Sequence, residues 1–339
     1  MLRRGPPRED HGGRVVSPPK GPRGQGGGRG SGKGRGSKPG TPGPPGSARQ
    51  GVGKGGRGGP ARRGPGGRPG NREGQRGTTP RGNRSGPSGA QKGLGGDQVE
   101  GRQAVRELLL AGTRKVREVV LAGDLDPAPI LDDIIDLADE AKVTLREVSR
   151  NRFENLSRTD APQGVLAMAQ PLREYEFEDL LASDATGRDP FLLLLDGVTD
   201  PGNLGAILRS AECAGVTGVV LPRHRAVGVT ATVAKSAAGA IEHLRMTRVA
   251  GLPKALGRLS SAGVWSVGLD AGGDTPIHRL AVSDQPVALV MGAEGAGLSR
   301  LVRERCDAMA HIPLAGVLGS LNVSAAAAIA LFEVARHRA

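Results

Sequence analysis

The chain has 339 residues, with 47 Lys and Arg against 34 Asp and Glu and a formal net charge of +13. The charge is divided unevenly: residues 1–96 hold 33 of the 56 Gly, 14 of the 25 Pro, 21 Lys and Arg and three acids, whereas residues 97–339 carry −5. No stretch approaches the roughly 18 apolar residues of a membrane-spanning helix, the start lacks the apolar run of a secretory signal, and two cysteines cannot form a disulfide framework or a Cys-based zinc site.

Residues 1–96 are predicted to be a disordered basic tail. All six aromatic residues lie beyond residue 150, so this segment has almost no apolar surface to offset the entropy of ordering its chain. Runs such as Gly-Gly-Arg-Gly-Ser-Gly-Lys-Gly-Arg-Gly (27–36) can track a phosphate backbone by releasing counterions. With no aromatic side chain among them, they offer no aromatic platform for base stacking.

Residues 97–170 read as a small α/β unit. An amphipathic helix over 101–110 precedes a strand at 116–121, a second helix at 129–142 and strands at 143–148 and 164–169. Residues 171–190 are polar, acidic and poorly periodic, the pattern of a linker around one short helix. A second α/β unit begins at 191. Its strands are expected at 191–195, 216–221, 244–249, 264–269, 287–291 and 308–312, and its helices at 204–214, 230–240, 252–261, 298–306 and from 321 onward. Apolar strands alternating with helices predict a mostly parallel sheet covered on both faces.

Three segments of this second unit are rich in Gly and polar residues, and each follows a strand, where ligands of open α/β sheets sit. The first runs Asp196-Gly-Val-Thr-Asp-Pro-Gly-Asn203 and leads to Arg209. Asn203 is a good helix N-cap. Arg209 follows the apolar Ala206, Ile207 and Leu208, so it needs a partner or a site unless it snorkels to the surface. The second is Met291-Gly-Ala-Glu-Gly-Ala-Gly-Leu298. It is not the dinucleotide fingerprint, and Glu294 could simply stabilise a helix N-terminus. The third, Ile312-Pro-Leu-Ala-Gly-Val-Leu-Gly-Ser-Leu-Asn-Val-Ser324, gathers Ser320, Asn322 and Ser324 at a helix start. Capping accounts for one of these three, and a polar loop above a helix of small residues suits a bound cofactor.

Together and in this order, the three segments resemble the signature motifs of the SpoU/TrmH family of RNA 2′-O-ribose methyltransferases, and most of all its 23S rRNA guanosine enzymes. The resemblance covers nearly all of 97–339; the basic tail is the one departure. It implies three further regions: an RNA substrate-binding domain at 97–170, a linker at 171–190, and a catalytic domain at 191–339 that closes in a trefoil knot, an exception to unknotted topology. It implies S-adenosylmethionine as cofactor, RNA as substrate and a homodimer in the cytoplasm, without membrane or metal. Asn203, Arg209, Glu294, Ser320 and Asn322 are the expected catalytic residues. Gly292, Ile312 and Leu321 are expected to contact the cofactor, with Gly268 a weaker candidate. A guanidinium is a poor base, so Arg209 is read as a clamp on a phosphate. An rRNA adenosine enzyme, a tRNA enzyme and an inactive RNA-binding homologue are the alternatives.

The remaining candidates have structural readings. His224 and His243 are expected at the surface, and His311 in a structural role. Lys235 and Glu242 are read as helix-face charges, and Cys213 and Cys306 as small buried side chains within helices.

Overall fold

The computed structural model describes residues 93–338, and the expected tail therefore lies almost wholly outside the described residues. Its last four residues do not. Leu94 is buried, the Val229 amide donates to its carbonyl at 2.9 Å, and the Gly96 amide donates to the Val229 carbonyl at 2.7 Å. A single apolar side chain among glycines is too short a pattern to register in the sequence, yet it belongs to the folded body.

The first unit is a four-stranded sheet with three helices. In chain order it contains β1 (Gln98–Glu100), α1 (Arg102–Ala111), β2 (Val116–Ala122), α2 (Pro129–Glu140), β3 (Thr144–Val148), α3 (Arg150–Leu156) and β4 (Val165–Ala169). The strands lie in the order β1-β4-β2-β3, with β2 and β3 parallel and the other pairs antiparallel. Ala104, Val105 and Leu108 of α1 and Leu131, Ile134 and Ala138 of α2 supply the buried stripes that the sequence spacing predicts. Both β1 and α3 escape the sequence pattern. In β1 the polar Glu100 is fully buried, its carboxylate accepting from the Arg158 amide at 2.6 Å, the Thr159 hydroxyl at 2.6 Å and Gln98 Nε2 at 2.7 Å. In α3 one buried side chain, Phe153, anchors an otherwise polar turn.

The second unit is a seven-stranded sheet in which every pair is parallel. Its elements are β5 (Phe191–Asp196), α4 (Pro201–Cys213), β6 (Gly218–Pro222), α5 (Ala231–Ala237), β7 (Met246–Val249), α6 (Leu252–Ser261), β8 (Trp265–Leu269), β9 (Thr275–Pro276), β10 (Val287–Gly292), α7 (Arg300–Arg303), β11 (Ala308–His311) and α8 (Val323–Arg336). The strand order is β7-β6-β5-β10-β8-β11-β9. The continuous apolar run 191–195 is explained by its place: β5 and β10 sit centrally and are buried on both faces. Leu193, Leu195, Leu289 and Met291 pack with α4 and α8, while Leu192, Leu194, Ala288 and Val290 pack with α6 and α7. The alternation follows from the two-residue period of a strand.

Strand β11 is inserted between β8 and β9, both of which precede it in the chain. The β8–β9 loop closes around it: the Asp270 amide donates to the Ala310 carbonyl at 3.0 Å and the Asp274 amide to the Met309 carbonyl at 3.1 Å. Gly273 is required at this crossing, because a Cβ there would overlap the Ala310 backbone.

The segment 171–190 is not a free linker. Glu174 bridges to Met246 at the edge of β7, the Tyr175 amide donates to the Met246 carbonyl at 2.9 Å, and Arg248 pairs with Glu174 at 2.9 Å. Phe177 and Leu180, three residues apart, bury into the same core as α6. Two apolar residues in an acidic stretch suffice because a single 3₁₀ turn, Glu178–Leu180, puts both on the sheet. Glu242 also departs from its expected place on a helix face: its side chain is buried and pairs with Arg114 of the first unit. Neither cysteine follows the reading as a buried helix residue. Cys213 ends α4 and is exposed. Cys306 lies after α7, and burial, with smaller contributions from Asp307 and Asp196, pushes its thiol up to about 12.

Candidate active site

The loops that follow β5 and β10 emerge at the carboxyl ends of adjacent parallel strands. From this point the chain runs outward to opposite edges of the sheet, which is where an open α/β sheet leaves a crevice. The cap of α4 is Asp200 rather than Asn203: an Asp200 carboxylate oxygen accepts from the Asn203 amide at 2.6 Å. Capping by Asp200 leaves the Asn203 side chain free for other partners. Its Nδ2 donates to Glu294 at 3.0 Å, and its Oδ1 accepts from Asn322 Nδ2 at 3.0 Å. Asn322 in turn caps α8, its Oδ1 accepting from the Ser324 amide at 2.8 Å and the Ser324 hydroxyl at 2.6 Å. The orientation of both amides is dictated, since a carboxylate can only accept and the Asn322 oxygen is already occupied. One side-chain chain, Glu294–Asn203–Asn322–Ser324, thus ties the three sequence segments together.

Glu294 is presented by a tight loop. The Ala293 amide donates to the Gly297 carbonyl at 3.0 Å, and the Gly297 amide returns a bond to Ala293 at 2.9 Å. Gly292 has no room for a side chain, because a Cβ there would overlap the Gly297 carbonyl. Gly295 and Gly297 adopt φ of 76° and 66°, which side chains rarely tolerate.

Beneath this loop lies a cavity of about 320 Å³ lined by Gly292, Glu294, Ile312, Ser320 and Leu321, with Leu269, Met291 and Leu314 as further apolar walls. The three expected cofactor residues therefore share one cavity with two of the expected catalytic ones. Gly268 does not join them. It lies within β8, where a Cβ would strike Met309 and Leu298, so its smallness serves packing. Arg209 stands apart as well: it is exposed, six residues beyond Asn203 on α4, and its guanidinium makes no hydrogen bond or ion pair among the described residues. A larger cavity of about 710 Å³, lined by Arg102, Asp124, Arg150, Phe153, Thr159 and Gln163, belongs to the first unit. It contains no residue of the three segments, so size is a poor guide here and convergence of chemistry decides.

Sequence reasoning missed Asp270, which lines the smaller cavity and pairs with Arg303 at 2.9 Å. Its position directly after a strand end was the available signal. His311 Nδ1 lies 2.8 Å from the Gly273 carbonyl, a structural contact at the β8–β9 loop, while His224 and His243 are exposed. Among the described residues no three His, Cys, Asp or Glu side chains gather as metal ligands would.

Residues 190–332 match the SpoU rRNA Methylase family, and residues 98–175 match the RNA 2′-O ribose methyltransferase substrate binding family. The chain is 40% identical over 241 residues to the 23S rRNA (guanosine-2′-O-)-methyltransferase RlmB of Photorhabdus laumondii, covering 71% of this chain and 98% of that protein. It is 38% identical over 242 residues to the RlmB of Escherichia coli K12, covering 71% and 99%. The AdoMet-bound rRNA methyltransferase from Sinorhizobium meliloti superposes with a TM-score of 0.59 at 27% identity, over 71% of this chain and 87% of its own. The SpoU methyltransferase AviRb from Streptomyces viridochromogenes, in complex with AdoMet, does so with a TM-score of 0.58 at 26% identity, over 71% and 89%.

Proposed function

This chain belongs to the SpoU rRNA methylase family, and from that premise we propose that it transfers the methyl group of S-adenosylmethionine to a ribose 2′-hydroxyl of RNA, its target a guanosine of 23S rRNA. The observation that carries the reading is the Glu294–Asn203–Asn322 chain, which joins three distant segments beside one cavity.

The cavity suits the cofactor. Leu269, Ile312, Leu314 and Leu321 offer apolar walls for an adenine, Gly292 allows close backbone approach, and the carboxylates of Asp270 and Glu294 suit a cation. The bound cofactor supplies an electrophilic methyl group on a sulfonium. The protein has to place a ribose hydroxyl in line with that methyl and favour loss of the hydroxyl proton. Asn203 holds Glu294 and Asn322 in register, and Ser320 stands on the cavity wall. Arg209, free of any protein partner among the described residues, is a fork for an RNA phosphate next to the reacting ribose. There it steadies the negative charge that develops on the attacking oxygen.

The first unit selects the RNA. The end of β11, enclosed by the β8–β9 loop, supports a knotted tail. Ile329 and Phe332, three residues apart on α8, are 44% and 50% exposed. Such an apolar face favours a homodimer. Among the described residues no helix is long and apolar enough to cross a membrane, and the site of action is the cytoplasm, where ribosomal RNA is found.

The deciding experiment is to map ribose methylation across rRNA and tRNA in cells with and without the gene. Loss of one 23S guanosine methyl group is expected. An unchanged map, with no transfer from labelled S-adenosylmethionine to rRNA in vitro, would refute the reading.

A further inference from the structure

Among the described residues the cavity lining carries two ionisable side chains, Asp270 and Glu294, both of them carboxylates, and no Lys, Arg or His. Each has one oxygen fixed and one to spare. Asp270 Oδ1 accepts from the Gly272 amide at 2.9 Å and pairs with Arg303 at 2.9 Å, whereas Oδ2 accepts no hydrogen bond among the described residues and faces Gly297 in the cavity wall. Glu294 gives one oxygen to Asn203 and keeps the other. The Asp270 side chain is 19% exposed, so its charge acts through a partly water-excluded medium. Asp270 lies outside the three motif segments, and its ion pair with Arg303 through Oδ1 leaves Oδ2 uncommitted.

We propose that Asp270, together with Glu294, makes this cavity a charge filter that recognises the sulfonium of S-adenosylmethionine and thereby prefers it to the product S-adenosylhomocysteine. This rests on the methyltransferase reading above. Transfer moves the methyl group from sulfur to the ribose oxygen, the C–S bonding pair stays on sulfur, and the hydroxyl proton leaves to solvent. The sulfur therefore goes from cationic to neutral while the rest of the cofactor, including its ammonium, carboxylate and ribose hydroxyls, is unchanged. A lining of spare carboxylate oxygens loses an attractive partner at that moment, which favours release of the spent cofactor. Arg303 tempers the filter, because it holds Oδ1 of Asp270.

The test is calorimetric titration of the full-length protein and its Asp270→Asn variant with three ligands: S-adenosylmethionine, S-adenosylhomocysteine and sinefungin, which carries an amine where the methylated sulfur stands. The variant should bind S-adenosylmethionine and sinefungin about tenfold more weakly, the range expected for one lost charge contact at intermediate dielectric, and S-adenosylhomocysteine within about twofold. Equal weakening for all three ligands would place Asp270 on the ribose or the ammonium and overturn the proposal, as would no change for any. Retained S-adenosylhomocysteine binding shows that the variant cavity is folded. Should D270N fail to fold, Arg303→Gln leaves Asp270 in place and removes the competing cation; it should tighten S-adenosylmethionine alone, and an unmoved ratio between the two cofactors would overturn the filter. If the wild-type protein binds none of the three, the methyltransferase reading itself is what fails.

Discussion

Arg114 and Glu242, one from each unit of the described body, meet in a bidentate pair at 2.6 and 2.8 Å with side chains 6% and 0% exposed. The same guanidinium donates to the carbonyls of Gly96 and Gln170 at 2.5 and 2.6 Å, so it also closes the two ends of the first unit's chain onto the second. Desolvating such a pair is expensive, and its full set of partners is what makes it tolerable. Removing one partner is worse than never having had the pair. Arg114→Ala should therefore destabilise the protein by about 3–5 kcal/mol, as measured by chemical denaturation. A double replacement, Arg114→Met with Glu242→Leu, should recover much of that loss.

The amide of Asn203 donates to Glu294 from Nδ2 and accepts from Asn322 at Oδ1, so the two contacts use two separate atoms of one side chain. Asn203→Ala should lower turnover on the order of a hundredfold, comparable to removing a preorganised donor. Asn203→Asp should be no better, because it sets a second carboxylate against Glu294. The affinity for S-adenosylmethionine should stay within a few fold for Asn203→Ala, which single-turnover kinetics and calorimetry can separate.

Arg209 makes no hydrogen bond or ion pair among the described residues, so its removal costs the fold almost nothing. Arg209→Ala should keep the melting temperature within a degree or two while methyl transfer falls at least about a hundredfold. Arg209→Lys should restore little, since a point charge does not reproduce a planar fork. Near-normal turnover of the alanine variant on rRNA would make Arg209 a surface residue without a role.

The basic segment gives a prediction of a different kind. Residues 1–92 carry 21 Lys and Arg and three acids, and deletion should start there rather than at residue 97, because Leu94 is part of the core. Loss of the segment should weaken RNA affinity and flatten its salt dependence, as fewer counterions are released. The methylated nucleotide should stay the same, because base contacts specify whereas phosphate contacts only hold. The cost should appear as a higher half-saturating RNA concentration, as expected for an arm that acts through effective concentration. An unchanged salt slope would reduce the segment to a spacer.

Much of this molecule is written in short-range pattern. The apolar run 191–195, the helical spacing of Ile134 and Ala138, and the strand-to-glycine transitions at Gly292 and Asp196 predict the parallel sheet and place all three site segments at its strand ends, because periodicity and turn chemistry are local properties. The convergence of Gly292, Ile312 and Leu321 on one cavity follows from the resemblance to the SpoU/TrmH family, not from a local pattern. Other features required the folded chain. By residue type Asn203 reads as a cap, because Asn caps helices well, but Asp200, three residues earlier, does the capping, and only the packed loops bring Glu294 and Asn322 to the freed amide from 91 and 119 residues away. By its spacing Glu242 reads as a helix-face charge, but its partner Arg114, 128 residues distant, holds it out of water. Asp270 gave no signal beyond its place after a strand, since a carboxylate becomes part of a site only through what the insertion of β11 and the loop at Gly297 leave beside it. A sequence records which groups a chain has and how they are spaced locally. Which of them meet, and which are left with an unengaged oxygen, is decided by contacts whose partners lie too far along the chain for any local pattern to register.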